Sequence, residues 1–138
     1  MALPHPAPRF DRQDYFAWEP EQPVKHEYVG GEVFAQAGAR QNHVVVAGNC
    51  FAALRQRLRG TPCRAYISDM QLEVAQADAV FYPDVMVSCH PEDLAAERVL
   101  HHPRVIVEVH HLGLDGHDAT LGHRIARVDD EVEDRGLK

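Results

Sequence analysis

Two short apolar runs, each containing a single carboxylate, constrain the fold of this chain more than any other feature of its sequence. The first is Phe81–Ser88, which holds Asp84 directly after Pro83, and the second is Arg104–Val109, which holds Glu108. Both runs have the length and composition of β-strands. Because a carboxylate buried without a partner is very costly, an acid in such a strand is usually paired, metal-bound or exposed. We interpret Asp84 and Glu108 as two ligands of one metal site.

Length and composition favour a single soluble domain. The chain has 138 residues and is 45% apolar, which suffices for one buried core. No apolar run approaches the roughly 20 residues of a membrane span, and Met1–His5 lacks the features of a signal peptide. The sequence therefore predicts a cytoplasmic protein with no membrane partner.

The net charge of −7 disfavours non-specific binding to nucleic acid, because neutralising phosphates supplies most of that affinity. It does not exclude a nuclease, since metal-binding acids themselves add negative charge. The three cysteines, Cys50, Cys63 and Cys89, are odd in number and widely spaced. This pattern predicts buried free thiols rather than a disulfide framework or a cysteine-rich zinc site.

Periodicity and turn residues predict the main elements. Asp11 is a suitable N-cap for a helix that ends near Glu19, and two strand-like runs flank Gly30-Gly31 as in a tight hairpin. A longer helix, capped by Asn42, is predicted from His43 to Arg59.

Beyond this helix, residues 64–74 alternate with a period of two, which is typical of a strand. Arg55 and Arg59 lie one turn apart on the long helix. A solvated basic face is the ordinary interpretation of this pair, and contact with DNA phosphates is the alternative.

The C-terminal part, residues 110–138, has no clean period, holds four of the ten histidines and contains an acidic run. We predict a folded domain over residues 1–109 and a divergent, poorly ordered tail over 110–138. A transition-metal site at His110, His117 and His123 with Asp118 is a weaker alternative, because their spacing matches no standard ligand motif.

Several motifs occur together in a defined order. They are Tyr15-Phe16-Ala17-Trp18-Glu19, His26-Glu27-Tyr28-Val29-Gly30-Gly31-Glu32, His43 at the start of the long helix, Ser68-Asp69-Met70, Tyr82-Pro83-Asp84-Val85 and Val107-Glu108-Val109. A Pro-Asp pair with a distant glutamate carries little information, but the whole ordered set is specific. Over about residues 8–109 the chain resembles a bacterial restriction-endonuclease family within the PD-(D/E)XK nuclease superfamily.

The resemblance implies an α/β fold (an α+β mixed sheet) with a restriction-endonuclease-like core, a central sheet and flanking helices. It also implies a Mg²⁺ (or Mn²⁺) site built from Asp84 and Glu108, with Glu32 or Asp69 as supporting acids. In such a site the metal assists hydrolysis of a DNA phosphodiester. DNA would then be the partner, and a homodimer is an open alternative.

The sequence departs from the family pattern at the expected catalytic lysine. His110 stands two residues after Glu108, and the next lysine is Lys138. Lys25 precedes the hairpin and could serve only by an unusual route, whereas His110 could hold the attacking water instead.

The elements that usually close the family's fold are also not recognisable after Val109, so we expect a C-terminally incomplete core. Two hypotheses remain open: a metal-dependent endonuclease, or a non-catalytic nuclease-like remnant that acts by binding or self-association through an exposed strand edge.

Overall fold

A computed structural model of the chain describes residues 10–110 and the strand at residues 124–127. The helices of this part are α1 (Arg12–Trp18), α2 (Gln41–Arg57) and α3 (Pro91–Ala95). Its strands are β1 (His26–Val29), β2 (Glu32–Ala35), β3 (Arg64–Ile67), β4 (Gln71–Val74), β5 (Ala79–Phe81), β6 (Val85–Ser88), β7 (Val99–Leu100), β8 (Pro103–Glu108) and β9 (Arg124–Arg127).

The strands form two sheets, with the orders β2-β1-β5-β4-β7 and β3-β6-β8-β9. Strands β4 and β7 pair in parallel, and the other recorded pairs are antiparallel. The predicted mixed α+β class is therefore confirmed, although its strands divide between two sheets. Strand β6 lies between β3 and β8 and is buried along its whole length, as its apolar sequence predicts.

The first two predicted elements are confirmed. Asp11 caps α1 through a capping box, in which its side chain accepts from the backbone N–H of Asp14 and the Asp14 side chain accepts in return. The hairpin between β1 and β2 turns at Gly30 and Gly31, whose φ angles of 56° and 94° are strained for residues with a Cβ.

Helix α2 starts earlier than predicted. It begins at Gln41 with Arg40 at the N-cap position, so the expected cap by Asn42 is wrong, and no side chain caps this end. The helix packs chiefly through its contacts with β3 and β6, and Ala47 is its buried residue. Val44 and Val45 are 57% and 51% exposed, which leaves the first turns of α2 open to solvent.

The period-two pattern of residues 64–74 does not form one strand. The chain turns at Ser68, whose φ of 39° lies in the left-handed region, and β3 and β4 join different sheets. A periodicity argument cannot detect this break, because the alternation of side chains resumes after the turn. The turn places Asp69 outside both strands and leaves it exposed.

The prediction of three free thiols is wrong for two of them. Strands β3 and β6 pair with Arg64 opposite Ser88, so the residues just beyond, Cys63 and Cys89, face each other across the ladder. Their Cα atoms lie 4.0 Å apart and the sulfurs form a disulfide, whereas Cys50 is free. Sequence spacing could not show this pairing, because only the strand register brings the two residues together.

The predicted tail is described only in part. Residues 124–127 pair with β8 as a fourth strand, with Arg124 opposite Glu108, whereas His117, His123 and Asp118 lie outside the described residues. The division into a 1–109 domain and a 110–138 tail stays a prediction. In the described part of the chain, no helix has the length and apolar character needed to span a membrane.

Candidate active site

The register between β6 and β8 brings the two strand acids together. Val85 pairs with Val107, so the next residues outward on the two strands, Asp84 and Glu108, lie opposite each other at the same end of the sheet. The backbone N–H of Val109 donates to Asp84 Oδ2 over 2.7 Å, which fixes the carboxylate against the end of β8. Residues 24 positions apart in sequence thus share one location.

A cavity of about 920 Å³ opens at this end of the sheet. It lies beside the N-terminal part of α2, the segment before it, and the loops that precede β1 and follow β3. Its wall carries the charged or ionisable groups Lys25, Glu27, Arg40, His43, Asp69, Tyr82, Asp84 and Glu108. Four carboxylates and two permanent cations therefore meet around one space, which is a suitable setting for a metal ion and an anionic substrate.

Asp84 is held by two donors of different kinds. His43 Nε2 lies 2.8 Å from Asp84 Oδ1, and the Val109 N–H occupies Oδ2. The side chains of His43 and Asp84 are 20% and 16% exposed, so water screens their contact only in part. Each carboxylate oxygen has two lone-pair positions, and both oxygens keep acceptor capacity toward the cavity.

Glu108 is the most electrostatically perturbed carboxylate of this site. Burial is the largest cause, followed by the negative charge of Asp84, its hydrogen bond with Glu108 and the charge of Glu27, and together they raise the pKa of Glu108 from 4.5 to about 7. At neutral pH Glu108 is therefore protonated for part of the time. A divalent cation between the two acids would relieve the same repulsion.

Replacing Glu108 with glutamine is expected to stabilise the metal-free protein above pH 7. The raised pKa means that the folded chain binds this proton more tightly than the unfolded chain. That contribution is complete below the unfolded value of 4.5 and is lost as pH rises through about 7. Because Glu108 is partly exposed, solvent screening reduces the expected gain at pH 8 to about 1 kcal/mol.

Urea unfolding in EDTA at pH 4 and pH 8 measures this difference. The gain should disappear at pH 4, where glutamate and glutamine are both uncharged. Glu32→Gln is the matched control, because Glu32 is an exposed acid of the β1–β2 hairpin. A Glu108→Gln protein that is less stable than the parent at pH 8 would contradict the assigned repulsion.

Glu27 and His43 also line the cavity, and the sequence analysis did not assign them to the site. Glu27 Oε1 accepts from the Tyr82 backbone N–H and from Gln36 Nε2, each over 3.1 Å. His43 contacts Asp84, as described above. Glu27 carries the same signal as the two predicted ligands, a single acid between less polar strand neighbours, and this signal could have identified it.

Lys25 occupies a position that the sequence left unclear. Its Nζ donates to the Ser68 carbonyl over 3.1 Å and to Asp69 Oδ1 over 2.9 Å, and it lies 5.2 Å from the centre of the Tyr82 ring. Burial, with the charge of Glu19 as the next cause, raises the pKa of Tyr82 to about 12, so this tyrosine stays protonated. Lys25 thus brings an ammonium group to the cavity that contains Asp84 and Glu108.

The structure separates the other predicted site residues from this group. Asp69 is on the wall, but its side chain is 85% exposed and paired with Lys25. Glu32 and His110 are exposed and are not among the residues that line the cavity, and the same holds for Arg55 and Arg59 near the far end of α2. Among the described residues, the permanent cations that line the cavity are instead Lys25 and Arg40.

With this fold and an acidic cavity, the chain has the features of a nuclease-like protein, and comparison with known families agrees. The Uma2 family, described as "Putative restriction endonuclease", matches residues 12–120. The chain belongs to this family, which confirms the resemblance inferred from its motifs. The match extends beyond Val109, where the motif-based resemblance ends.

Individual relatives are also similar to the chain. An uncharacterized protein of Synechocystis sp. PCC 6803, slr1290, is 31% identical over 104 residues, which are 75% of this chain and 55% of the relative. A second uncharacterized protein from the same organism, sll1609, is 30% identical over 98 residues, covering 70% of this chain and 55% of the relative. The chain thus spans about half the length of these two relatives.

Among solved structures, the chain is similar to a putative nuclease of the DUF820 group from Anabaena variabilis. The two share 20% sequence identity with a TM-score of 0.46, over 54% of this chain and 40% of the other.

Proposed function

We propose that this chain carries the catalytic site of a Mg²⁺-dependent endonuclease that hydrolyses DNA phosphodiesters. The observation that carries the proposal is the cross-strand pair of Asp84 and Glu108, in which burial and then the charge of Asp84 raise the pKa of Glu108 to about 7. Such a pair, on the wall of an open cavity, favours an added cation. Membership of a restriction-endonuclease family supports the hydrolysis of DNA phosphodiesters as the reaction.

The donor set fits a hard divalent ion. Mg²⁺ and Mn²⁺ prefer oxygen ligands, and Mg²⁺ is usually held by one or two carboxylates with water completing its shell. Asp84 and Glu108 would hold the ion, and Glu27 would support it, because all three carboxylates belong to the same cavity. When bound, such an ion polarises the scissile phosphate and lowers the pKa of an attacking water.

The chain's own residues prepare the site for this ion. His43 and the Val109 N–H hold Asp84 in one orientation, so little of its freedom has to be lost on binding. Glu27 is fixed in the same way by Tyr82 and Gln36. The site is therefore preorganised by hydrogen bonds from α2, from the end of β8 and from the loop before β6.

Lys25 supplies the positive charge that the family usually draws from a lysine after the glutamate. Its ammonium group lies on the same cavity wall as the two acids and could neutralise charge on the phosphate or orient the attacking water. Arg40 adds a second cation for the phosphate backbone. His110 is no longer needed for this role in the proposal, because it is exposed and outside the cavity wall.

Contact between DNA and the pair Arg55 and Arg59 stays a prediction. Arg55 follows His43 by 12 residues on α2. At about 1.5 Å per residue, this places it roughly 18 Å from the acidic site. A duplex that presents one phosphate to the cavity could bring other phosphates to this part of the helix.

A plasmid-nicking assay tests the proposal. The parent protein is expected to convert supercoiled DNA to the open circle in Mg²⁺ or Mn²⁺ and to stop in EDTA. Glu108→Gln should lower the rate by at least about tenfold, because one ionic ligand is lost while Asp84 and Glu27 remain. Glu32→Gln removes an equal charge from an exposed hairpin position outside the cavity wall and should cut at the parental rate.

The assay also separates the two hypotheses left open by the sequence. A parent protein that binds DNA but does not nick it with either metal would overturn the hydrolytic function and favour the non-catalytic alternative. Nicking that is equally fast in the parent and in Glu108→Gln would overturn the assignment of the site.

A further inference from the structure

A second group of ligand-type side chains lies at the N-terminus of α3. It consists of His90, Glu92 and His102, which offer ligand atoms that all lie within 4.8 Å of one another. His102 Nε2 is 3.2 Å from Glu92 Oε2, and the rings of His90 and His102 stack with centroids 3.9 Å apart. None of the three residues lines the acidic cavity.

A buried polar network fixes the backbone that carries both histidines. Asp93 is fully buried, and its carboxylate accepts from the Ser88 hydroxyl over 2.6 Å and from the backbone N–H groups of His101 and His102 over 2.8 and 2.9 Å. Ser88 Oγ in turn accepts from the His90 N–H over 3.3 Å. The backbone N–H groups of these two histidines, 12 residues apart in sequence, thus donate to one hydrogen-bonded pair, the Ser88 hydroxyl and the Asp93 carboxylate.

The Cys63–Cys89 disulfide adds a covalent tie to the residue directly before His90. With Asp93 holding the other side, the cluster is attached to β3, β6 and α3 rather than to a free loop. A site whose ligand-bearing backbone is already ordered loses less entropy when an ion binds.

We propose that His90, Glu92 and His102 form a binding site for a divalent transition-metal ion, with Zn²⁺ as the best match. Two imidazole nitrogens and one carboxylate oxygen are a set that Zn²⁺ uses at sites with three protein ligands. Imidazole also favours zinc, copper and nickel over the hard ions Mg²⁺ and Ca²⁺. The site therefore differs in ligand type from the carboxylate site at Asp84 and Glu108.

Binding requires only small rearrangements. The His102–Glu92 contact would be replaced by coordination of both groups to the ion. His90 Nδ1 now accepts a long 3.3 Å hydrogen bond from the Glu92 N–H, which is weak and whose loss costs little at this exposed helix end. Three protein ligands leave a coordination position for water or for a group from another molecule.

A calorimetric titration of the full chain with zinc chloride, in the presence of excess Mg²⁺, tests this inference. The parent should show one more zinc equivalent than His102→Ala, or bind that equivalent at least about tenfold more tightly. Because other histidines of the chain can also take zinc, the measured quantity is the difference between variants. Glu92→Gln should lose the same equivalent, and its side chain is 74% exposed, so the fold does not depend on it.

His101→Ala is the matched control, because His101 is the neighbouring histidine but directs its Nε2 to Glu73. It should retain the parental zinc stoichiometry. Unchanged zinc binding in both His102→Ala and Glu92→Gln, or an equal loss in His101→Ala, would overturn the site. DNA nicking by Glu92→Gln should stay at the parental rate, which keeps this result separate from the proposed nuclease function.

Discussion

Asp84→Asn is expected to lower Mg²⁺-dependent nicking by about 100-fold or more. Ligands of a catalytic metal contribute several kcal/mol to the transition state, and about 1.4 kcal/mol corresponds to a factor of ten in rate. The effect should exceed that of Glu108→Gln, because Glu108 is partly protonated near pH 7 whereas Asp84 is the acid held in place by two donors.

The fold should tolerate this change. Asparagine has the shape of aspartate, its carbonyl oxygen can accept from the Val109 N–H, and its amide can donate to His43 Nε2 in the appropriate tautomer. We therefore expect the free energy of unfolding to change by no more than about 1 kcal/mol. A large loss of activity in a folded protein would then report the loss of the ionic ligand.

Plasmid nicking and urea unfolding of the same samples make the comparison. Asp11→Asn is a suitable control, since it removes one exposed carboxylate and asparagine caps a helix as well as aspartate does. If Asp84→Asn nicks DNA within a few-fold of the parent rate, Asp84 is not a metal ligand of the reaction.

Asp93→Ala is expected to lower the free energy of unfolding by about 3 kcal/mol or more. The Asp93 side chain is fully buried and serves three donors: the Ser88 hydroxyl and the N–H groups of His101 and His102. Alanine would leave the two N–H groups without their side-chain acceptor and the Ser88 hydroxyl with only the His102 carbonyl, 3.0 Å away. Each unsatisfied buried donor costs about 1–3 kcal/mol. Ser88 is also fully buried, so water cannot easily replace the lost oxygen.

Urea unfolding at neutral pH measures this loss. Glu92→Ala, one residue earlier on the same short helix, is the control and should change stability by less than about 0.5 kcal/mol, because its side chain is exposed. Asp93→Asn should fall between the two, since one amide oxygen can serve only part of the donor set. Equal stability of Asp93→Ala and Glu92→Ala would contradict the role given to the network.

Local sequence signals predicted most of the individual elements. The Asp11 cap, the Gly30-Gly31 hairpin and the strand around Glu108 depend on neighbouring residues, and the structure contains each of them. Helix α2 is present but is shifted by two residues at both ends. Such a shift is typical where no side-chain cap fixes the boundary.

Long-range pairing was harder to predict. The break at Ser68 separates β3 from β4, and the disulfide joins Cys63 to Cys89, but neither leaves a periodic signal in the sequence. Both depend on which strands become neighbours. That choice is made by the packing of whole elements rather than by local residue preferences.

The same distinction applies to the candidate site. Asp84 and Glu108 stand out in the sequence because each is a lone acid in an apolar strand, where burial without a partner is costly. Glu27 is likewise a single acid in a strand, but nothing in the sequence shows that Glu27, His43 and Lys25 share a location with this pair. They reach the cavity through the loop before β1, strand β1 itself and the first turn of α2.

The sequence by itself therefore determined the family, the mixed α+β class and the two acids that require a partner. Only the tertiary structure decided that Asp84 faces Glu108, that His43 holds Asp84, and that Lys25 lies on the same cavity wall. The physical reason is that a buried charge is recognisable from its immediate neighbours. Its partners, in contrast, are set by strand register and helix packing over separations of tens of residues.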